Sequence, residues 1–265
     1  MTTVNVHEAK ARLSELLNLL EKGETVIICR RNRPTMRISQ AADGIPGNAA
    51  STFPSLSGDG RLVAFESLAT NLVAGDTNGK ADVFLFESQS GQLSRASLTG
   101  TGAQNPAGGK DPFISRDCRF LAFVAGGKLV PEDTNGKADV YVKDLQTGAL
   151  EVASRGQGNL LANGASLSPV LSDDGRYLAF LSDATNLVPG DTNGFRDVFL
   201  RDRQTGLVVR VSLGSDGSQP NAACANPAIS GDGRLVAYES TLVTSSPPPP
   251  FSSRRTAWRS RPPAF

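Results

Sequence analysis

Apolar and polar residues follow a pattern that recurs at a nearly constant spacing along most of this chain. The tetrapeptide Asp-Thr-Asn-Gly marks this spacing, since its copies start at Asp76, Asp133 and Asp191. A serine–acid–arginine marker precedes each copy, as in Ser57-Gly58-Asp59-Gly60-Arg61, and it recurs a fourth time from Ser230. Self-similarity at a fixed interval, which we call the repeat spacing, predicts a repeat architecture.

Each unit is predicted to form four short antiparallel strands. A brief first strand begins at a proline such as Pro54, and the Asp-Gly-Arg that follows is typical of a tight turn. The second strand is nearly continuous in apolar residues, as in Leu62-Val63-Ala64-Phe65, which indicates a strand covered on both faces. The Asp-Thr-Asn-Gly loop leads to a third strand such as 197–202, and a further turn leads to a fourth, 207–212. Such sheets, stacked face to face, build a β-propeller.

Residues 53–240 therefore resemble the TolB-like, WD40-like propeller family, through the shared motif Ser-x-Asp-Gly-Arg-x-(apolar)-Ala-Phe. The units start near positions 53, 111, 168 and 226, so residues 53–245 are predicted to hold three full blades and half of a fourth. A propeller ring ordinarily needs about 4–8 blades, so this one is incomplete. The resemblance implies a binding scaffold for a protein or glycan ligand and does not imply one activity.

The periodicity ends after Ser240. A fourth Asp-Thr-Asn-Gly is expected at position 249, where the chain instead carries the run Ser246–Pro250, and proline cannot donate to a sheet ladder. Residues 246–265 hold four arginines and no acid, and we expect a disordered tail. Two alternatives stay open: a basic arm for nucleic acid or membrane, and a shifted reading frame, in which case the chain is a mis-joined product without selected function.

Residues 1–40 do not share the repeat and are predicted to form a small α+β unit. A strand over 2–6 is followed by an amphipathic helix from about Val6 to Lys22, with Asn5 as N-cap and Gly23 after the last turn. Two further strands, 25–30 and 35–38, form a hairpin around the turn 31–34. So short a unit buries too little apolar surface alone, and we expect it to dimerise. The apolar helix positions proposed for this contact are Leu13, Leu16, Leu17 and Leu20.

This unit resembles the Phd/YefM antitoxins of type II toxin–antitoxin modules. The resemblance rests on the segments Val4–Lys10, Leu13–Leu17, Glu21–Glu24 and Val26–Pro34, in order and nearly without gaps. It implies a homodimer that binds operator DNA and represses its own operon, and a cognate toxin bound by a more carboxy-terminal segment. Here that place is taken by residues 41–52, rich in small residues and predicted to be a linker, so toxin neutralisation is in doubt.

The charge of residues 1–40 supports the interpretation as a DNA-binding unit. Seven cations and four anions give this segment a net charge of +3, whereas the whole chain carries only +1. Phosphate contacts use flexible cations, and arginine also reads base edges by paired hydrogen bonds. An ordinary solvated face remains the alternative. The residues predicted to contact DNA are Lys10, Arg12, Arg30, Arg31 and Arg33.

Other chemistry finds little support in the sequence. The three cysteines, Cys29, Cys118 and Cys224, are too far apart for a disulfide framework or a paired metal site. His7 is the only histidine, and a capping or packing role suits it better than catalysis. The Asp-Thr-Asn-Gly loops offer oxygen ligands for Ca²⁺, but a turn role is favoured because the distal glutamate of a calcium loop is missing.

Taken together, these patterns predict a non-enzymatic chain with no metal, no other cofactor and no membrane span, located in the cytoplasm. The leading hypothesis is an antitoxin-like repressor that binds operator DNA as a dimer. The alternative is a propeller scaffold that binds a protein or glycan and has no role on DNA.

Overall fold

A computed structural model of the chain describes residues 2–5, 26–30, 33–37, 40, 44–214, 217–240 and 255–259. Side chains are described for residues 40, 44–214 and 217–240. The predicted helix over 6–22 lies outside these ranges, together with the four leucines proposed for dimerisation. No helix in the described part of the chain is long and apolar enough to cross a membrane.

The regular secondary structure of the described residues is almost entirely strand, with one short 3₁₀ turn at Gln157–Asn159. The strands are β1 Thr2–Asn5, β2 Val26–Arg30, β3 Arg33–Arg37, β4 Ser51–Leu56, β5 Leu62–Ser67, β6 Asp82–Glu87, β7 Gln92–Arg95, β8 Lys110–Ile114, β9 Phe120–Gly126, β10 Ala138–Asp144, β11 Leu150–Val152, β12 Ser166–Leu171, β13 Tyr177–Ser182, β14 Asp197–Asp202, β15 Val208–Arg210, β16 Cys224–Ile229, β17 Leu235–Ser240 and β18 Arg255–Arg259.

These strands make five sheets. The N-terminal sheet has the order β1-β2-β3, with β1 parallel to β2 and β2 antiparallel to β3. Three four-stranded antiparallel sheets follow: blade 1 (β4–β7), blade 2 (β8–β11) and blade 3 (β12–β15). Blade 4 contains β16, β17 and β18. The fold is mainly β and forms an incomplete propeller, as the sequence predicts.

The serine–acid–arginine marker forms the turn between the first two strands of each blade. In blade 1 the Ser57 hydroxyl donates to Asp59 Oδ1 (2.7 Å), and the same carboxylate oxygen accepts from the Arg61 backbone N–H (2.8 Å). The Leu62 N–H donates to Ser57 Oγ (2.9 Å), which ties the turn to the start of β5. The same three bonds recur in the other blades. The marker therefore encodes turn geometry through side chains that replace backbone partners.

Apolar side chains fill the space between successive blades. One cluster joins blades 1 and 2, a second joins blades 2 and 3, and a third joins blades 3 and 4. A stacked aromatic pair spans the two central strands of each of the first three blades: Phe65–Phe84, Phe123–Tyr141 and Phe180–Phe199. The nearly continuous apolar second strands are explained by this two-sided burial.

Three boundaries differ from the sequence prediction. The first strand of blade 1 begins at Ser51, before Pro54, because a bulge between Thr52 and Ser55 accommodates the proline. Residues 46–50 of the predicted linker are bonded to blade 1: Asn48 N–H donates to Asn71 Oδ1 (2.9 Å). In the tail predicted to be disordered, Arg255–Arg259 forms β18 and pairs with the open edge of β17. An unpaired strand edge attracts such a partner.

Candidate functional site

The β2–β3 hairpin carries part of the predicted DNA-binding set. Arg30 ends β2 and Arg33 begins β3, and the two residues lie directly opposite each other in the ladder. The turn was predicted to include Arg33 and Pro34, but both belong to β3. Pro34 pairs with Cys29 next to a register shift, where the regular ladder is interrupted. The backbone thus places two of the five predicted residues opposite each other, and Lys10, Arg12 and Arg31 lie outside the described residues.

A second candidate site is a groove lined by the first strands of all four blades. Each of these strands has a residue with positive φ immediately before a proline: Phe53 (49°), Asp111 (53°), Ser168 (48°) and Asn226 (49°). Residues other than glycine adopt this conformation at a cost of about 1–3 kcal/mol, and such residues cluster at functional sites. The prolines are visible in the sequence pattern, but the strained residues before them were not predicted. Their recurrence at the repeat spacing was the available signal.

The groove has a volume of about 510 Å³ and a mixed lining. Phe53 is 56% exposed and presents its ring at the blade 1 side. Asp111, Ser168 and Asn226 supply oxygen or amide groups from the other three blades. Arg116 also lines the groove, 3.7 Å from an Asp173 carboxylate oxygen. An aromatic surface beside a few convergent polar groups suits an extended ligand with both apolar and hydrogen-bonding parts.

The Asp-Thr-Asn-Gly loops join consecutive blades. In the first loop the Asn78 amide donates both to Asp82 Oδ2 and to the Asn105 carbonyl oxygen, each at 2.9 Å, and it accepts from the Lys80 N–H (2.9 Å). The Ser97 hydroxyl donates to the other oxygen of Asp82 (2.7 Å). These oxygens are thus engaged in bonds within the protein. No group of three or more His, Cys, Asp or Glu residues in the described part could hold a metal ion.

The first aspartate of each loop is buried and has a partner that differs between copies. In blade 1 Arg95 lies 3.4 Å from Asp76, and in blade 3 Arg210 lies 2.9 Å from Asp191. Burial raises the pKa of Asp191, and the charge of Arg210 offsets part of that rise. The equivalent position in blade 2 is Val152, which cannot bond.

In blade 2 a tyrosine hydroxyl replaces the arginine. The hydroxyl of Tyr141 donates to Asp133 Oδ2, and Tyr141 stands opposite Val152 in the ladder. The corresponding cross-strand pairs are Phe84 with Arg95 in blade 1 and Phe199 with Arg210 in blade 3. Burial and the bond to Asp133 raise the pKa of Tyr141. These groups hold the loops in place.

Two cysteines are free among the residues whose side chains are described. Cys224 is buried in the interface between blades 3 and 4, and burial raises the pKa of its thiol to about 11. Cys118 is half-buried at the hairpin turn of blade 2, with φ of 68°. A thiol with a raised pKa is a poor nucleophile, which favours a packing role for Cys224.

One known family matches the first part of the chain. Residues 1–43 match the family model of antitoxin Phd_YefM, type II toxin–antitoxin system. This match covers the N-terminal sheet and the intervening segment, which we call the antitoxin-like unit (residues 1–43). Among curated proteins, no sequence matches the chain.

Solved structures similar to this chain are propeller proteins. TolB from Acinetobacter baumannii is 18% identical, with a TM-score of 0.44, over 73% of this chain and 38% of its own. The putative TolB from Agrobacterium tumefaciens is 18% identical, with a TM-score of 0.49, over 78% of this chain and 59% of its own. An oligogalacturonate lyase in complex with manganese is 15% identical, with a TM-score of 0.46, over 75% and 51%. The chain thus spans 38% and 59% of the two TolB structures.

Proposed function

We propose that the antitoxin-like unit binds operator DNA as a homodimer, as an antitoxin-like component of a type II toxin–antitoxin system. The family match over residues 1–43 carries this proposal. It is supported by the ladder that sets Arg30 opposite Arg33 and by the net charge of +3 over residues 1–40. A dimer doubles this charge and offers two equivalent sets of cations for two half-sites. Action on operator DNA would take place in the cytoplasm.

Toxin neutralisation is not part of the proposal. The residues that follow the antitoxin-like unit are used by the propeller: Pro46 accepts a hydrogen bond from the Asn71 amide (2.9 Å), and the Asn48 amide donates to the Thr70 hydroxyl (2.9 Å). A segment engaged in this way is not free to wrap around a second protein.

Gel retardation with the DNA upstream of the coding sequence tests the proposal. We expect the full chain to retard this duplex at low salt and to bind it more tightly than an unrelated duplex of equal length. Arg31→Ala combined with Arg33→Ala should weaken binding and reduce the salt dependence by about one counterion for each phosphate that is no longer neutralised. The matched control is Lys128→Ala combined with Lys137→Ala, which removes the same charge from exposed positions of blade 2.

The outcomes separate two parts of the reasoning. Equal retardation by the wild type and the double arginine variant would refute the assignment of these residues. No retardation of either duplex by the wild type at low salt would refute DNA binding itself.

The groove favours a second candidate function, the binding of a protein or glycan segment. The observation behind it is the set of four positive-φ residues that the four blades bring to one lining. Short peptides and oligosaccharides can be screened by the rise in melting temperature that a ligand of the folded state produces. A groove ligand should stabilise the wild type and lose its effect with Phe53→Ala, while Leu160→Ala, at an exposed leucine outside the groove, should change nothing.

A further inference from the structure

The face of blade 1 that points away from blade 2 is apolar and buried. Phe65 and Phe84 stack there with ring centroids 5.6 Å apart, and they are 1% and 0% exposed. Phe86 is half-buried on the same face. The equivalent aromatic pairs of blades 2 and 3 belong to the clusters shared with the preceding blade. Of the four blades, none precedes blade 1 in the stack, so its aromatic pair needs another cover.

The outer face at the opposite end of the stack is exposed to solvent. The outer face of blade 4 carries Leu235, which is 41% exposed, and Glu239, which is exposed and accepts a hydrogen bond from the Asn226 amide (2.8 Å). Terminal repeats of stacked proteins stay soluble through such a polar outer face. The two ends thus differ, and blade 1 has no polar face of this kind among its described residues.

The repeat register continues backwards into the antitoxin-like unit. An isolated bridge joins Gln40 to Pro46, and matching bridges follow at one and two repeat spacings, at Leu98–Gln104 and Arg155–Leu161. These later bridges lie where the chain passes from the last strand of one blade to the first strand of the next. Gln40 and Pro46 therefore occupy the position of a passage into blade 1 from a preceding blade.

The strands of the antitoxin-like unit fall into the same register. β3 precedes β7 by one repeat spacing, and Arg37-Ile38-Ser39 corresponds in sequence to Arg95-Ala96-Ser97 and Arg210-Val211-Ser212. The order β1-β2-β3 matches the order of the second, third and fourth strands of a blade. Only the direction of β1 differs, since it runs parallel to β2, with residues 6–25 connecting the two strands.

We propose that residues 1–39 cover the outer face of blade 1, in the place of a preceding blade. In the β2–β3 ladder Ile28 pairs with Met36, as Leu85 pairs with Ser94 in blade 1, so Ile28 takes the position of Leu85, which faces blade 2. The β2–β3 turn takes the position of the β6–β7 turn, whose residues 89–91 are exposed at the rim. The arginines of the hairpin then remain open to solvent. This inference does not rest on DNA binding, and it makes the antitoxin-like unit a fixed part of the propeller stack.

Hydrogen–deuterium exchange of the full chain tests the proposal through Ile28→Asp. A charge at this position should disrupt the contact, and the amides of β5 and β6 should then exchange about tenfold faster. Strands β13 and β14 of blade 3 serve as the internal control and should keep their rates. Unchanged exchange in β5 and β6, with faster exchange in β2, would overturn the proposal.

A thiol probe tests the same face without relying on a destabilising change. In a full chain with Cys29→Ser and Cys118→Ser, Val63→Cys should react with a maleimide far more slowly than Leu235→Cys, and Ile28→Asp should remove this difference. Slow reaction of Val63→Cys should persist on tenfold dilution and in a chain that ends at Ser240. A loss of protection on dilution would assign the cover to a second copy, and a loss on truncation would assign it to the tail. Either result would overturn the proposal.

Discussion

Replacing Tyr141 by phenylalanine should destabilise blade 2 by removing one oxygen atom. The hydroxyl donates to the carboxylate of Asp133, a residue that is only 2% exposed. The tyrosine ring is fully buried and stacks on Phe123. Tyr141→Phe keeps the ring and its packing, so the change isolates the hydroxyl, which also donates to the Gly127 carbonyl oxygen (3.0 Å) and accepts from the Leu129 N–H (3.4 Å). The carboxylate of Asp133 then stays buried without its donor.

The expected loss follows from the type of bond. A hydrogen bond to a charged group contributes about 1.5–3 kcal/mol, and a buried acceptor left without a partner costs a similar amount. We therefore expect Tyr141→Phe to lower the free energy of unfolding by about 2 kcal/mol. Blades 1 and 3 indicate the repair, because each combines phenylalanine at this position with arginine opposite. Tyr141→Phe combined with Val152→Arg should recover at least about 1 kcal/mol through coupling of the two sites.

Urea denaturation followed by circular dichroism measures both effects. The midpoint should fall in Tyr141→Phe at an unchanged slope and rise again in the double variant. The control is Val152→Arg alone, which places a long side chain against an intact tyrosine and should be destabilising. A midpoint for Tyr141→Phe equal to that of the wild type, or strictly additive effects in the double variant, would refute the idea that one partner replaces the other.

Three further predictions concern charge, backbone and metal. A hydrogen bond from Arg119 lowers the pKa of Asp144 to about 2, below its unfolded value, so this contribution to stability is present above pH ~4 and is lost as the pH falls towards 2. In denaturant titrations across this range, Arg119→Gln should therefore be less stable than the wild type at pH 7 and equally stable in acid. Arg61→Gln should show a smaller effect, because the Arg61 guanidinium lies 3.9 Å from the Glu87 carboxylate. Cys118→Gly should raise the free energy of unfolding by up to about 1 kcal/mol in calorimetry, because the other three blades place glycine at this positive φ; a lower stability would contradict the strain argument. Adding Ca²⁺ or a chelator should leave the melting temperature unchanged, and a clear rise with Ca²⁺ would contradict the turn role of the Asp-Thr-Asn-Gly loops.

The repeat could be predicted from the sequence because its signals are local. The turn marker, the apolar second strand and the Asp-Thr-Asn-Gly loop each lie within a few residues, and β14 occupies the predicted range Asp197–Asp202. The first strands were predicted to start too late because a proline normally marks a boundary. In the structure a bulge absorbs Pro54, so the ladder continues on both sides of it.

Features that depend on distant partners could not be predicted in this way. β18 pairs with β17 because an open strand edge is available, and nothing within residues 255–259 signals that edge. The exchange of arginine for tyrosine in blade 2 becomes visible only when Tyr141 and Val152 are known to be cross-strand neighbours. The groove could not be predicted either, because its lining residues come mainly from the first strands of four blades and meet only in the assembled fold.

In the described part of the chain each Asp-Thr-Asn-Gly loop bonds to the unit that follows it, as the Asn78 amide does by donating to the Asn105 carbonyl oxygen of the next unit. A gene with such repeats can gain or lose one whole period by unequal crossing-over, because the three described junctions share this asparagine-to-backbone bond to the unit that follows. Such an event would change the curvature and length of the array in discrete steps and leave each remaining junction intact. The family of related genes should therefore vary in the number of units far more readily than in the chemistry of the joints.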